Sequence, residues 1–284
     1  MTNKHYKEVI FYFKQKASDY DLVDQQLYWS LSDELLKKII NKKIVGNFYR
    51  KKVKIMDAGA GTGRWSLILH DLFKKKKVRS YFDLIDVTPQ MLEEAEKKIK
   101  RKHLTQEMQI RVGNIENLSE FKNNLYDITI SFYNVLSFTE KPEKAIGEIY
   151  KKLKHGGLYA AVVSNKYHAY FFNILTAQGV EVSRINILSK VRFNKNMPYI
   201  HCFTPRQIRS IYSNAGFKNI EVIGFPNFVY PNIEETYISG QSNFHRNILK
   251  NKKKFKEILD IEWKECFNPD AAARGNTLLV IGEK

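Results

Sequence analysis

A short glycine-rich segment carries the residue pattern with the clearest chemical meaning. Residues 57–63 read Asp-Ala-Gly-Ala-Gly-Thr-Gly, after an apolar run and before an apolar helical pattern. Glycines suit a loop whose backbone approaches a ligand closely, and the start of the next helix offers unpaired N–H groups. The carboxylate of Asp57 would repel a pyrophosphate, but it suits a ligand that carries an ammonium beside a carboxylate. The predicted ligand contacts from this segment are Asp57, Gly59, Ala60, Gly61 and Gly63.

Two further polar positions follow later strands and extend the same predicted site. Asp86 ends the second predicted strand, where a carboxylate accepts hydrogen bonds from ribose hydroxyls. Asn114 follows the third strand and can reach the amino edge of an adenine, while Met91 and Ile115 flank its faces. Asn114 as a simple turn residue is the alternative interpretation. One ligand explains all these positions: S-adenosylmethionine, an adenosine joined to an amino acid through a sulfonium.

The elements that must position these residues alternate between strands and helices. We predict strands over 53–57, 80–86, 108–112, 126–132 and 158–163, separated by helices, and two last strands over 219–224 and 277–282. This alternation predicts an α/β fold with a doubly wound, mostly parallel sheet of seven strands. Residues 51–164 and 201–284 would form this core. We predict an N-terminal helical lid over 1–50, a cap inserted over 165–200, and a helical insertion over 226–275 before the last strand.

Five motifs in order resemble those of class I S-adenosylmethionine-dependent methyltransferases. They are residues 54–63, 84–92, 111–118, 126–131 and 148–157. The resemblance is to the small-molecule group typified by quinone-biosynthesis enzymes, although Asn114 stands where the family usually has Asp and His155 where it usually has Pro. It implies a Rossmann-like fold, S-adenosylmethionine as cofactor and a lid over that cofactor. Further predicted cofactor contacts are Tyr20, Val87, Ser131 and Phe132.

The family has no fixed catalytic residue, so candidates for methyl transfer come from the lid, the cap and the end of the fourth strand. Transfer from a sulfonium needs an acceptor held in line, and a hydroxyl acceptor usually needs a base. His201 is the first candidate base because histidine titrates near neutrality; His168 is the second. The predicted catalytic residues are therefore His201, Tyr133 and His168. The predicted acceptor contacts are Tyr28, Trp29, Asn134, Arg192 and Arg274, for all of which ordinary packing or ion pairing is the alternative.

Composition excludes some classes of protein and leaves others open. The chain has 284 residues, 43% of them hydrophobic, which excludes a disordered chain. No apolar stretch is long enough to cross a membrane, and two cysteines cannot build a disulfide framework, so we expect a cytoplasmic protein without a metal site. The net charge of +17 comes mostly from lysines spread over the chain.

The leading hypothesis is an enzyme that methylates an oxygen or nitrogen of a small metabolite. The charge keeps a second hypothesis open, a nucleic-acid or protein methyltransferase, although nucleic acid is not the favoured partner. A non-catalytic cofactor-binding protein is the third.

Overall fold

A seven-stranded sheet forms the centre of the protein. The computed structural model describes residues 4–175, 179–229 and 248–284. The strand order is β3-β2-β1-β4-β5-β9-β8, and all neighbours pair in parallel except those of β9. The strands are β1 Lys52–Ala58, β2 Arg79–Asp86, β3 Met108–Val112, β4 Tyr126–Ser131, β5 Leu153–Ser164, β8 Lys218–Phe225 and β9 Thr277–Glu283. This is the predicted doubly wound, mostly parallel sheet of seven strands.

Helices cover both faces of this sheet and build the lid and the cap. The α-helices are α1 Lys4–Lys14, α2 Leu27–Ile40, α3 Arg64–Lys75, α4 Pro89–Arg101, α5 Val135–Phe138, α6 Pro142–Lys152, α7 Lys166–Leu175, α8 Gly179–Leu188, α9 Pro205–Asn214 and α10 Lys252–Glu265. A 3₁₀ turn, Tyr20–Gln25, joins α1 to α2. A second small sheet pairs β6 Lys190–Val191 with β7 Ile200–His201.

The side chains of a buried strand alternate between the two faces of the sheet, and each face is covered by its own layer of helices. In β1, Val53 and Ile55 belong to one hydrophobic cluster, with residues of α2 and α3. Met56 and Ala58 belong to the other, with residues of α6 and α9. Successive side chains of a strand point to opposite faces, so one strand serves both layers. Asp57 shares the face of Ile55 and therefore lies against α3.

The helix α9 begins at the position that its sequence predicts. Thr204 is the N-cap: its side chain accepts the backbone N–H of Gln207, whose own side chain accepts the N–H of Thr204. This reciprocal pair satisfies two backbone donors at the helix start. Gly216 follows the helix with φ of +101° and lies against the ring of Tyr150.

The structure describes only part of each of the two predicted insertions. Within the predicted cap, α7 and α8 pack together over a small core that includes Ala169, Ile185 and Val191. Within the predicted helical insertion over 226–275, α10 spans Lys252–Glu265, and residues 230–247 lie outside the described residues. In the described ranges, no helix has the length and apolar character needed to cross a membrane.

Candidate functional site

A cavity lies where the predicted cofactor residues meet, at the carboxyl ends of β1, β2, β3 and β4. It has an empty volume of about 900 Å³. Eleven of the thirteen predicted cofactor residues line it. They are Tyr20, Asp57, Gly59, Ala60, Gly61, Asp86, Val87, Met91, Asn114, Ile115 and Phe132. The carboxyl ends of parallel strands are where ligands bind in sheets of this kind. We call this space the first cavity.

The glycine loop between β1 and α3 is held open by its backbone. Gly59 and Gly61 have φ of +92° and +52°, conformations that side chains of other residues rarely adopt. A Cβ atom on Gly59 would overlap Val135, whereas one on Gly61 would meet only Met91 Cε at 3.9 Å. Gly61 therefore leaves free space at the cavity wall, and Gly59 allows a close approach to α5.

The carboxylate of Asp57 is almost completely buried at the start of this loop. Its side chain accepts a hydrogen bond from Ser66 Oγ, at 2.6 Å, on the first turns of α3. Burial raises the pKa of Asp57 to about 7, and the bond from Ser66 only partly opposes that effect. A buried carboxyl that titrates near neutrality at a cavity wall is typical of a ligand-binding position.

Asp86 ties the glycine loop to the end of β2. Its two carboxylate oxygens accept the backbone N–H groups of Gly61, at 2.9 Å, and Thr88, at 2.8 Å. Burial raises the pKa of Asp86, against the lowering effect of these N–H donors. Each carboxylate oxygen has a second acceptor position, so Asp86 can still accept hydrogen bonds from a ligand.

Asn114 lies beyond β3 and fixes the opposite wall of the first cavity. Its side-chain oxygen accepts the backbone N–H of Glu116 at 2.9 Å, and its amide NH₂ group supplies two N–H donors. Glu116 in turn accepts the hydroxyl of Tyr6 from α1 and the backbone N–H of Glu140 at 2.7 Å. The first helix thereby closes over this end of the cavity.

Ionic contacts hold the N-terminal lid against the glycine loop. Arg64, at the start of α3, pairs with Asp24 and Asp33 of the lid. Asp33 also accepts the hydroxyl of Tyr133, and Asp21 accepts the hydroxyl of Thr62 at 2.7 Å. We call Asp21, Asp24, Asp33, Thr62 and Arg64 the lid anchor.

Sequence reasoning did not identify the lid anchor. Its members lie 31 to 41 residues apart along the chain. The one available signal was three acidic residues in the lid opposite a basic residue directly after the glycine loop.

A second cavity adjoins the first on the side of the cap. It has an empty volume of about 1620 Å³, and its wall includes residues from the lid, the cap and the end of β4. Five residues line both cavities: Phe13, Tyr20, Arg64, Tyr133 and Phe138. Four residues predicted for catalysis or acceptor binding lie in the wall of this second cavity: Trp29, Tyr133, Asn134 and His168.

His168 is the buried histidine of the second cavity. The side-chain amide of Asn276 donates to its Nε2 at 2.8 Å. Burial lowers its pKa to about 4, so the ring is neutral over the physiological pH range. A neutral imidazole can orient a polar ligand, and it does not add a positive charge to this cavity.

Several predicted site residues lie elsewhere. Gly63 caps α3 and packs against Ala95 and Leu84, and Ser131 donates its hydroxyl to the carbonyl of Ala58 within the sheet. Neither lines the first cavity. Tyr28 is 1% exposed and packs among lid and α10 residues. The ring of Tyr28 therefore does not line the second cavity, whereas that of its neighbour Trp29 does.

His201 and the two predicted arginines are also placed away from both cavities. His201 Nε2 donates to the carbonyl of Glu140 at 3.2 Å, because the β6–β7 ribbon turns it towards the start of α6. Arg192 pairs with buried Glu181 at 2.8 Å inside the cap. Arg274 donates to the carbonyl of Asn227 at 3.1 Å. The structure therefore does not support His201 as the base or these arginines as acceptor contacts.

Comparisons with known proteins agree with the fold. Residues 55–157 match the family model described as a methyltransferase domain. The demethylmenaquinone methyltransferase of Leptospira interrogans is 25% identical over 234 residues, which cover 78% of this chain and 88% of that protein.

Solved structures share the fold at low sequence identity. A methyltransferase of Thermotoga maritima is 19% identical, with a TM-score of 0.55 over 96% of this chain and 98% of the other. The geranyl diphosphate C-methyltransferase of Streptomyces coelicolor, solved with S-adenosylhomocysteine, is 11% identical, with a TM-score of 0.55 over 88% and 79% of the two chains.

The sheet has the fold of class I S-adenosylmethionine-dependent methyltransferases, and residues 55–157 match a methyltransferase domain. S-adenosylmethionine is the cofactor of this domain. The first cavity fits that cofactor in its chemistry. Its wall combines two carboxylates, Asp57 and Asp86, an amide at Asn114, and the open space beside Gly61. Among the described residues, no group of three or more potential ligands is arranged to hold a metal ion.

Proposed function

We propose that the protein transfers a methyl group to a small acceptor that binds in the second cavity. The observation that carries this proposal is the shared wall of the two cavities, formed by residues such as Tyr20 and Tyr133. A cofactor in one cavity and an acceptor in the next would meet across that wall. Methyl transfer depends chiefly on this kind of positioning, in a site closed to water.

For the cofactor, the candidate contacts divide by chemistry. Asp57 is the candidate partner of the ammonium group, Asp86 of the ribose hydroxyls and Asn114 of the adenine. The loop residues Gly59, Ala60 and Gly61 would let the backbone approach the amino-acid end. When bound, S-adenosylmethionine supplies a methyl group on a positively charged sulfur. Phe132 and Tyr20 offer aromatic surface beside that charge.

The second cavity favours an acceptor with a flat apolar body and one polar end. Trp29, Tyr133, Phe138 and Phe193 supply aromatic walls. Asn134, His168 and Asn276 supply the polar positions. His168 accepts the amide of Asn276 at Nε2 and remains neutral, so it would orient the acceptor rather than bring a charge to it. Tyr133 would exclude water at the junction of the two cavities.

The acceptor atom in this proposal is an oxygen or a nitrogen. Carbon is the second candidate, since the Leptospira relative is named for demethylmenaquinone and the Streptomyces neighbour is named a C-methyltransferase. A cavity with aromatic walls suits the ring of a phenol, an aromatic amine or a quinol equally well.

The test is a turnover assay with S-adenosylmethionine and a panel of phenols, aromatic amines and quinols. Mass spectrometry detects the methylated product, and its NMR spectrum assigns the methyl to oxygen, nitrogen or carbon. Asn134→Leu should raise KM for the acceptor without changing cofactor affinity. His155→Ala, at a turn of β5 outside both cavities, is the matched control. A protein that binds the cofactor but methylates none of the panel, while methylating nucleic acid or protein, would overturn the proposal.

A further inference from the structure

The cap exposes an unusual concentration of large apolar side chains. Thirteen such residues are exposed in the described part of the chain, and seven of them lie between residues 167 and 188. Ile174 is 65% exposed, and Val180 and Ile187 are each 77% exposed. Exposed apolar residues that cluster in this way mark surfaces that bind another partner, whereas single ones are ordinary.

Helical spacing gathers these residues on one face of each cap helix. On α7, Tyr167, Ile174 and Leu175 recur at intervals of seven and eight residues. On α8, Val180, Ile187 and Leu188 repeat the same spacing. Residues at these intervals lie on the same side of a helix. We call these two stripes the cap face.

The charges of the cap are almost all positive. Residues 165–200 contain five basic residues, Lys166, Arg184, Lys190, Arg192 and Lys195, and one acid, Glu181. Glu181 is 4% exposed and pairs with Arg192, so the cap presents no exposed carboxylate. An apolar helical face in a segment of net positive charge is the pattern that binds the interface of an anionic lipid bilayer.

From this combination we propose that the cap face docks the protein on an anionic membrane surface, without crossing it. The apolar stripes of α7 and α8 enter the boundary between headgroups and acyl chains, and the cap's lysines contact the lipid headgroups. Residues of the same cap, including His168, Phe193 and Met197, line the second cavity. Docking therefore brings the acceptor cavity close to molecules dissolved in the bilayer.

Co-sedimentation with lipid vesicles tests the proposal in the absence of cofactor and acceptor, so its outcome is independent of methyl transfer. The full chain should sediment with vesicles of phosphatidylglycerol and phosphatidylcholine, and much less with phosphatidylcholine alone. The double variant V180S/I187S should bind the anionic vesicles roughly tenfold more weakly, because two exposed apolar side chains are lost. Ile261→Ser, on the exposed face of α10, is the matched control and should bind like the unmodified chain.

Charge reversal provides a second comparison. Lys195→Glu in the cap should weaken vesicle binding more than Lys256→Glu in α10, although both change the net charge equally. Equal binding by the unmodified chain and V180S/I187S would overturn the proposal, because the overall charge alone would then explain the affinity. So would absence of vesicle binding together with a concentration-dependent dimer that V180S/I187S abolishes, since the cap face would then bind a second copy of the chain.

Discussion

At the scale of single residues, Asp57 and Gly61 show how the first cavity is adapted to a ligand. Asp57 supplies a buried carboxyl with its pKa raised to about 7. Gly61 leaves space in the cavity that a larger side chain would fill. Both follow from local sequence, since a strand, a glycine loop and a helix place them within five residues of each other. Their roles in binding can be tested separately.

The first prediction concerns the pH dependence of cofactor binding. Because burial holds the proton on Asp57 up to about pH 7, a cationic ammonium must displace that proton when it binds. Affinity for S-adenosylmethionine should therefore rise with pH and level off above the pKa of Asp57, with a loss of about tenfold per unit at lower pH. Calorimetry at several pH values measures this. Asp57→Asn should remove most of the dependence, and an unchanged profile would exclude Asp57 as the partner of the ammonium.

The second prediction concerns the space beside Gly61. Gly61→Val should abolish cofactor binding while the fold is retained, because its side chain fills the cavity and φ of +52° is strained for valine. Gly147→Val, on α6 where a Cβ atom meets nothing within 4 Å, is the matched control and should bind normally. Calorimetry reports the affinity and circular dichroism the fold. A Gly61 variant that still binds would mean that the ligand approaches the loop from elsewhere.

At the scale of elements, the lid depends on the lid anchor for its position. The Arg64 side chain is 14% exposed and the Asp33 side chain 3%, so their ion pair is shielded from water. Removing one partner of such a pair is far more costly than breaking an exposed one, because the other charge stays buried. The lid covers the first cavity through Tyr6 and Tyr20, so its position and cofactor binding are coupled.

The third prediction follows from this coupling. Arg64→Gln should loosen the lid, speed proteolytic cleavage within residues 1–50 and weaken cofactor binding by roughly tenfold, equivalent to about 1.4 kcal/mol. Lys97→Gln breaks an exposed pair with Glu94 and should change neither quantity. Limited proteolysis and calorimetry measure the two effects. Equal protease resistance in both variants would show that the lid is held by apolar packing alone.

At the scale of the whole molecule, the proposal of a small acceptor does not explain the net charge of +17. Much of it is on exposed lysines, and among the described residues five lysines form short-range helical pairs, such as Lys97 with Glu94. Exposed pairs of this kind contribute little to stability. The charge acts instead at long range, on the approach of anionic partners.

The fourth prediction uses salt to separate these roles. Between about 50 and 200 mM salt, binding to nucleic acid should fall by orders of magnitude, because each neutralised phosphate releases counterions. Methyl transfer to a small uncharged acceptor should change less than about twofold, since long-range charge does not attract an uncharged molecule. Parallel turnover and binding assays over this salt range provide the measurement. A turnover that falls as steeply as nucleic-acid binding would favour the nucleic-acid methyltransferase hypothesis instead.

The sheet, its helices and the residues of the glycine loop could be predicted from the order of the amino acids. Their signals are local: a short apolar run before Asp57, glycines at fixed spacing after it, and strand patterns that alternate with helical ones. The strand ends of a parallel sheet share one edge, so Asp57, Asp86 and Asn114 could be placed together without coordinates. Strand ends differed by a few residues, as in β5, which begins at Leu153 rather than 158. The short elements α5, β6 and β7 were not predicted.

The contacts between distant side chains around the two cavities became known from the three-dimensional structure. Asp33 meets Arg64 and Tyr133 across 31 and 100 residues, and His168 meets Asn276 across 108. It also turned His201 towards Glu140 and paired Arg192 with Glu181. These contacts depend on how the helices of the lid and cap pack on the sheet. Apolar packing is non-directional, so the spacing of residues along the chain does not predict which helices will meet.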